Sequence, residues 1–116
     1  RWYDEMWSNL AFEKIPELAG PNYKRHDVRG TRVVTAEEYR DELLPIAGQW
    51  EISDFSYFLM AEGDFVTAIG SWKINSSMQW DWVQTFRVEN GKLVETWLPA
   101  MATEGKWKSE EIPSQT

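Results

Sequence analysis

Cysteine is absent from the 116-residue sequence, and histidine occurs once, as His26. The lack of cysteine excludes disulfide bonds, thiolate catalysis and cysteine-ligated metals, and it is compatible with the reducing cytoplasm. One histidine with scattered carboxylates does not make a metal-ligand set, so we expect no metal. The sequence also lacks a Walker loop, a nucleophile elbow and a dinucleotide-binding fingerprint, so we expect no cofactor.

Basic residues and long apolar runs are also scarce. Lys and Arg number 12 against 19 Asp and Glu, which gives a net charge of −7. The nearest basic cluster, within residues 24–32, is interrupted by Asp27, so we expect no nucleic-acid partner. No apolar run reaches the roughly 20 residues that span a bilayer, so we expect no membrane partner and a cytoplasmic location. The chain begins at Arg1 without a signal peptide, and we expect that further residues precede it.

Aromatic residues, in contrast, are abundant, with eight Trp in a chain long enough for one domain. Each buried Trp or Phe removes on the order of 150–250 Å² from solvent. A small core built from such side chains can therefore enclose a cavity that a leucine-based core of the same size could not.

Residues 78–101 have the pattern of two long strands joined at Asn90-Gly91, since this pair accepts the positive φ angles of a tight hairpin. Alternation makes one face of the first strand aromatic around a single polar side chain: Trp80, Trp82, Gln84 and Phe86. Such a face is suited to the wall of an apolar pocket with one orienting hydrogen bond. The alternative is a sheet face covered by helices, with Gln84 bonded to a neighbour.

The rest of the chain predicts helices followed by strands. Within residues 1–18, apolar residues recur at helical spacing, with one break. Thr35 and Glu38 form a capping box that starts another helix, which runs to about Gly48. Residues 28–34 are predicted as a loop, and residues 50–61 and 65–74 as two more strands. This order favours an α+β fold, with helices on one face of a curved sheet of four antiparallel strands. Residues 1–103 form the expected domain, and residues 104–116 a C-terminal tail that is partly mobile.

Three segments together resemble the SnoaL-like branch of the nuclear transport factor 2-like (cystatin-like) fold. They are residues 21–27 (PNYKRHD), 61–64 (AEGD) and 86–97 (FRVENGKLVETW), and the resemblance covers about residues 6–101. It implies a half-open conical α+β barrel with a deep pocket, and a homodimer packed through the sheet. The family includes polyketide cyclases, and related branches include ketosteroid isomerases, epoxide hydrolases, dehydratases and binding domains.

The resemblance also suggests site residues. The acid/base Asp of the cyclases corresponds to Met101 here, so their mechanism does not transfer. The general base of ketosteroid isomerases corresponds to about His26, and their protonated Asp to Gln84, whose amide can donate a hydrogen bond to an oxyanion. We therefore expect His26 as base and Gln84 as oxyanion donor, facing each other across a pocket. Its expected walls are Trp2, Tyr3, Tyr23, Trp80, Trp82, Phe86, Trp97 and Met101.

Two main functional hypotheses follow. The first is a cofactor-free enzyme that performs acid/base chemistry of the isomerase, cyclase, dehydratase or hydrolase type on a hydrophobic carbonyl compound. The second is a non-catalytic module that binds a hydrophobic small molecule in the same pocket, which the absence of an acid at Met101 favours. A third alternative is an interaction domain in which Trp80, Trp82 and Trp97 fill the pocket themselves.

Overall fold

A computed structural model describes residues 2–113 of the chain. Its central feature is a six-stranded sheet in the order β2-β1-β6-β5-β4-β3. The strands span Ala19–Asp27 (β1), Gly30–Thr35 (β2), Ile52–Glu62 (β3), Phe65–Ile74 (β4), Met78–Glu89 (β5) and Lys92–Trp97 (β6). Helical segments lie before, between and after these strands, and the predicted α+β class is confirmed.

One parallel contact joins two antiparallel parts of the sheet. β1 and β2 form a hairpin, and β3 to β6 form a meander. β1 pairs in parallel with β6, so that Lys24 lies opposite Glu95. The sheet is therefore mixed and has two strands more than the four that the sequence predicted. The loop predicted over residues 28–34 is wrong, because β2 begins at Gly30, whose φ of 97° lets the chain reverse after β1.

The helical segments are all short. They span Trp2–Trp7 (a π-helix), Phe12–Lys14 (3₁₀), Ile15–Leu18 (α1), Ala36–Leu43 (α2), Leu44–Gly48 (3₁₀) and Ser109–Glu111 (3₁₀). The predicted break within residues 1–18 is confirmed, although Arg1 itself lies outside the described residues. The predicted capping box is also confirmed, because the Glu38 N–H donates to Thr35 Oγ1 and the Thr35 N–H donates to Glu38 Oε1.

One chain reversal follows the sequence signal closely, and one helix end does not. Asn90 and Gly91 have φ angles of 53° and 75°, as the predicted hairpin turn requires. The helix predicted to reach Gly48 ends as an α-helix at Leu43 and continues as a 3₁₀ turn. Pro45 lies in this turn and has no N–H to donate to the α-helical ladder.

The inner face of the sheet carries the aromatic side chains. Strand register places Trp72 opposite Trp80, and Gly70 opposite Trp82. A Cβ atom on Gly70 would lie 2.5 Å from the Trp82 ring, so glycine is what allows the indole to lie flat against β4. The N-terminal segment and α2 cover this face and complete the main hydrophobic core.

The outer face of the sheet is partly apolar and open to solvent. Met60, Phe65 and Val83 are 47%, 45% and 50% exposed, respectively. The homodimer through the sheet stays a prediction, and this face is its candidate surface. In residues 2–113, no helix is both long enough and apolar enough to cross a membrane.

The C-terminal segment is attached to the outer face through Asp81, which is only 4% exposed. Its carboxylate accepts hydrogen bonds from Ser71 Oγ and Gln79 Nε2, and from the backbone N–H groups of Lys106 and Trp107. Residues 114–116 lie outside the described part of the chain, and the partial mobility expected of residues 104–116 stays a prediction.

Candidate functional site

A cavity of about 520 Å³ lies between the inner face of the sheet, the N-terminal segment and α2. Six of the eight Trp residues line it: Trp2, Trp7, Trp50, Trp72, Trp80 and Trp82. Tyr3, Tyr39, Leu98 and Met101 add further apolar surface. The volume falls within the roughly 300–1,000 Å³ of typical small-molecule sites. The aromatic side chains therefore surround an open space and do not fill it.

Gln84 belongs to a buried hydrogen-bonded chain along one wall of the cavity. Its Oε1 accepts from Tyr3 Oη at 2.9 Å, and its Nε2 donates to Thr96 Oγ1 at 2.9 Å. Tyr3 Oη in turn accepts from Trp82 Nε1 at 3.4 Å. Burial raises the pKa of Tyr3 above its ordinary value, so the phenol stays neutral and donates. Gln84 Nε2 therefore has one N–H that no described residue accepts.

Two indole N–H groups provide donors that the protein itself does not use. The Nε1 atoms of Trp72 and Trp80 are buried and have no hydrogen-bond partner among residues 2–113. Both side chains line the cavity and lie opposite each other on β4 and β5. A buried unpaired donor is costly, at about 1–3 kcal/mol. A ligand oxygen that reached either N–H would remove that cost.

Arg25 brings a positive charge into the lining from β1. The residue is only 8% exposed, its guanidinium lies 4.5 Å from the centroid of the Tyr39 ring, and its Nε donates to Asp27 Oδ2 at 3.3 Å. Burial alone would raise the pKa of Asp27, but the Arg29 backbone N–H and the neighbouring guanidinium groups outweigh it and lower that pKa. Asp27 therefore stays ionised and holds Arg25 in a fixed orientation.

Further charged side chains lie at the rim of the cavity. Arg29 and Arg32 both line it, and Arg32 Nη1 donates to Glu42 Oε1 at 2.6 Å. Glu42 is the one carboxylate in the lining that the described residues provide. No cluster of three or more metal-ligating side chains occurs in residues 2–113.

His26 lies on the other side of the sheet. It follows Arg25 on β1, so alternation turns its side chain to the outer face. There its Nδ1 lies 2.7 Å from Thr31 Oγ1, its Nε2 lies 2.7 Å from Glu95 Oε2, and its ring stacks on Trp97 at 5.2 Å. The expectation that His26 and Gln84 face each other across one pocket is therefore wrong, because the sheet separates them.

The predicted wall residues divide into four groups. Inside the cavity, the structure brings together five of them with Gln84: Trp2, Tyr3, Trp80, Trp82 and Met101. Tyr23 is fully buried beneath Trp2 and Tyr39 and is not part of the lining. Phe86 lines a second, apolar cavity of about 250 Å³ on the far side of Trp2. Trp97 lies on the outer face beside His26, so its predicted place in the wall is wrong.

Sequence reasoning did not place Arg25 and Arg32 at the cavity, and it missed half of the indoles. Arg25 could have been found from alternation: if Tyr23 is buried on the inner face, Arg25 shares that face and His26 does not. Trp7, Trp50 and Trp72 come from three separate segments. No spacing in the sequence shows that these three meet at one cavity.

A curved sheet, open at one side and covered by N-terminal helices, is the fold of solved nuclear transport factor 2-like and SnoaL-like proteins. This is the fold that the sequence resemblance predicted, and solved structures confirm it.

Three solved structures illustrate the similarity. A proposed polyketide cyclase from Acidithiobacillus ferrooxidans matches with a TM-score of 0.73 and 16% identity, over 84% of this chain and 80% of that one. A SnoaL-like polyketide cyclase from Agrobacterium tumefaciens matches with a TM-score of 0.65 and 15% identity, over 86% and 85%. A nuclear transport factor 2-like protein of unknown function from Cytophaga hutchinsonii matches with a TM-score of 0.61 and 14% identity, over 80% and 78%. No protein-family model and no curated protein matches the sequence.

Proposed function

We propose that this protein binds a flat, hydrophobic small molecule that carries a carbonyl-type oxygen. The observation that carries the proposal is an aromatic cavity of about 520 Å³ whose lining includes Trp72 and Trp80, two side chains with buried, unpartnered N–H groups. Indole rings provide flat apolar walls, and the two N–H groups provide the few placed polar contacts that orient a ligand. Solved proteins of the same fold that are described as polyketide cyclases support a small molecule of this type.

Filling the cavity from its wall should weaken binding. Met101 lines the cavity and is half-buried, so Met101→Trp places a bulky indole in the ligand's space. With 2-acetylnaphthalene as probe, we expect an affinity loss of at least about tenfold, or roughly 1.4 kcal/mol, measured by isothermal titration calorimetry.

Met78 provides the matched control, because it is 45% exposed and outside the cavity lining. Met78→Trp should leave the affinity for 2-acetylnaphthalene unchanged. Equal affinities of wild type and both variants would show that the probe binds elsewhere and would refute the proposed site.

A second candidate function is cofactor-free acid/base catalysis on the same ligand. The observation that favours it is Glu42, a carboxylate in the lining that is held by Arg32. In this mechanism Glu42 removes a proton from the carbon next to the carbonyl. The C–H electron pair forms the C=C bond of an enolate, and the carbonyl π pair moves to oxygen, where Trp72 and Trp80 donate to it. Glu42 then returns the proton to carbon.

Deuterium exchange separates this candidate from binding alone. In D₂O, catalysed enolisation should replace the methyl protons of 2-acetylnaphthalene with deuterium faster than buffer does, as followed by proton NMR. Glu42→Gln should reduce the exchange rate by about 10²-fold or more, as expected for loss of a general base. His26→Ala should leave it unchanged, because His26 lies on the other face of the sheet.

Exchange at the buffer rate, with the probe still bound, would leave ligand binding as the function and exclude this chemistry for the probe. Exchange lost in His26→Ala but kept in Glu42→Gln would contradict both the assignment of the base and the position of the site.

A further inference from the structure

The geometry points to a more specific ligand: a planar aromatic carboxylate, whose anionic group is held by Arg25, Arg29 and Arg32. This inference rests on the proposed function, because it concerns the same cavity. It adds a charge to the ligand that neither the fold nor the aromatic walls require.

The first argument is the local charge. The chain as a whole has a net charge of −7, yet three guanidinium groups and one carboxylate line the cavity. Asp27 lies behind the lining and pairs with Arg25 at 3.3 Å and with Arg32 at 3.8 Å. Counting Asp27 and Glu42 against the three arginines leaves one positive charge without an internal partner. A ligand with a single negative charge would balance it.

The second argument is which arginine is unpaired. Arg25 and Arg32 each have a carboxylate partner, whereas Arg29 forms no ion pair within residues 2–113. The backbone N–H of Arg29 donates to Asp27 Oδ1 at 2.9 Å, which fixes the start of its side chain beside the cavity. The backbone of Arg29 is thus held in place by Asp27, and its guanidinium is available to a ligand.

The third argument is the planarity of the arginine site. The guanidinium of Arg25 lies over the ring of Tyr39, and of its donor atoms only Nε has a hydrogen-bond partner in the described chain. A stacked guanidinium presents its remaining N–H groups in one plane, which matches the two oxygens of a carboxylate. The polar groups of the lining that remain available are overwhelmingly donors, which favours a ligand rich in acceptor oxygens.

The competing explanation is that the arginines only hold α2 and β2 together. Arg32 does pair with Glu42 of α2. That explanation does not account for Arg29, which is exposed and pairs with no described carboxylate.

The test compares three probes with one ring system: 2-naphthoate, the neutral ketone 2-acetylnaphthalene, and 2-naphthyl phosphate. Dissociation constants are measured by isothermal titration calorimetry on the full chain. We expect 2-naphthoate to bind at least about tenfold more tightly than the ketone, since charge-assisted hydrogen bonds are the stronger ones. The preference should shrink as salt concentration rises, because the rim arginines are partly exposed.

Two variants and one control assign the preference to the arginines. Arg29→Gln should weaken 2-naphthoate binding about tenfold and leave the ketone's affinity within about twofold. Arg25→Lys should also weaken 2-naphthoate binding, because a lysine keeps the charge but not the planar fork. Arg40→Gln is the matched control: Arg40 pairs with Asp41 on α2 and is outside the lining, so neither probe should be affected.

Each outcome decides between the proposals. Equal affinities for 2-naphthoate and the ketone would overturn the carboxylate inference and leave the proposed function standing. Tight binding of 2-naphthyl phosphate without binding of 2-naphthoate would overturn the choice of carboxylate. Failure of all three probes to bind would overturn the proposed function and this inference with it. A carboxylate preference that Arg29→Gln removes and Arg40→Gln retains would support the inference.

Discussion

Asp81→Ala is expected to lower the free energy of unfolding by about 3 kcal/mol and to detach the C-terminal segment. Asp81 is buried and accepts four hydrogen bonds, two from side chains and two from the backbone of residues 106 and 107. Hydrogen bonds to a charged group contribute about 1.5–3 kcal/mol each, although their losses do not add fully. Urea denaturation measures the change, and limited proteolysis within residues 103–113 reports the detachment.

The same carboxylate sets a pH dependence. Burial alone would raise the pKa of Asp81, but donors from Gln79, Ser71, Trp107 and Lys106 outweigh it, so its pKa in the folded protein is lowered. Its contribution to stability is therefore complete above the ordinary pKa of about 3.9 and is lost as pH falls through the lowered value. Between pH 5 and 8 this contribution should be constant. Asp81→Ala should reduce the acid sensitivity of the protein below about pH 4.

Asp41→Ala is the control for this prediction. Its side chain is 64% exposed and its described partner is Arg40 on the same helix, so the change should cost less than about 0.5 kcal/mol. A stability loss for Asp81→Ala no larger than that for Asp41→Ala would show that the Asp81 cluster does not hold the C-terminal segment in solution.

Trp72→Ala is the second large effect, with an expected loss of about 4 kcal/mol in the free energy of unfolding. Trp72 is 2% exposed and contacts three aromatic rings, with centroids at 4.6 Å from Trp82, 5.1 Å from Phe55 and 5.3 Å from Trp7. These rings come from β5, β3 and the N-terminal segment, so Trp72→Ala removes packing contacts with all three segments at once. Thermal and urea unfolding both measure the change.

Two further variants keep this prediction testable if Trp72→Ala does not fold. Trp72→Phe retains an aromatic ring and should fold, but it lacks the N–H that we assign to the ligand, so 2-acetylnaphthalene should bind about threefold to tenfold more weakly. Trp107→Ala should cost less than about 1 kcal/mol, since this side chain is 39% exposed. Similar losses for Trp72→Ala and Trp107→Ala would contradict the central position of Trp72.

Local signals in the sequence predicted the parts of the fold that depend on neighbouring residues. The Asn90-Gly91 turn and the Thr35–Glu38 capping box form as expected, because the chemistry of each lies within four consecutive residues. The inward face of β5, with Trp82 and Gln84, follows from strand alternation once the turn is placed. These elements provide most of the side chains on one wall of the cavity.

The site as a whole could not be derived in the same way. We expected both Tyr23 and His26 at the cavity, but they lie three positions apart on one strand, and alternation puts them on opposite faces. Because Tyr23 is buried on the inner face, Arg25 shares that face and His26 does not. Burial depends on tertiary structure, which local sequence patterns do not show. Which strand lies beside β1 also depends on a parallel pairing with β6, for which the sequence has no local signal.

That pairing determines when the binding site can exist during synthesis. β1 and the rim arginines are made first, whereas β6, the strand of the meander that pairs with β1, ends at Trp97. Pairing between distant segments requires a loss of chain entropy, because a long loop must close before stabilising contacts form. The hairpin of β1 and β2 must therefore wait for almost the entire domain to emerge from the ribosome, and capture of the proposed ligand would mark completed folding.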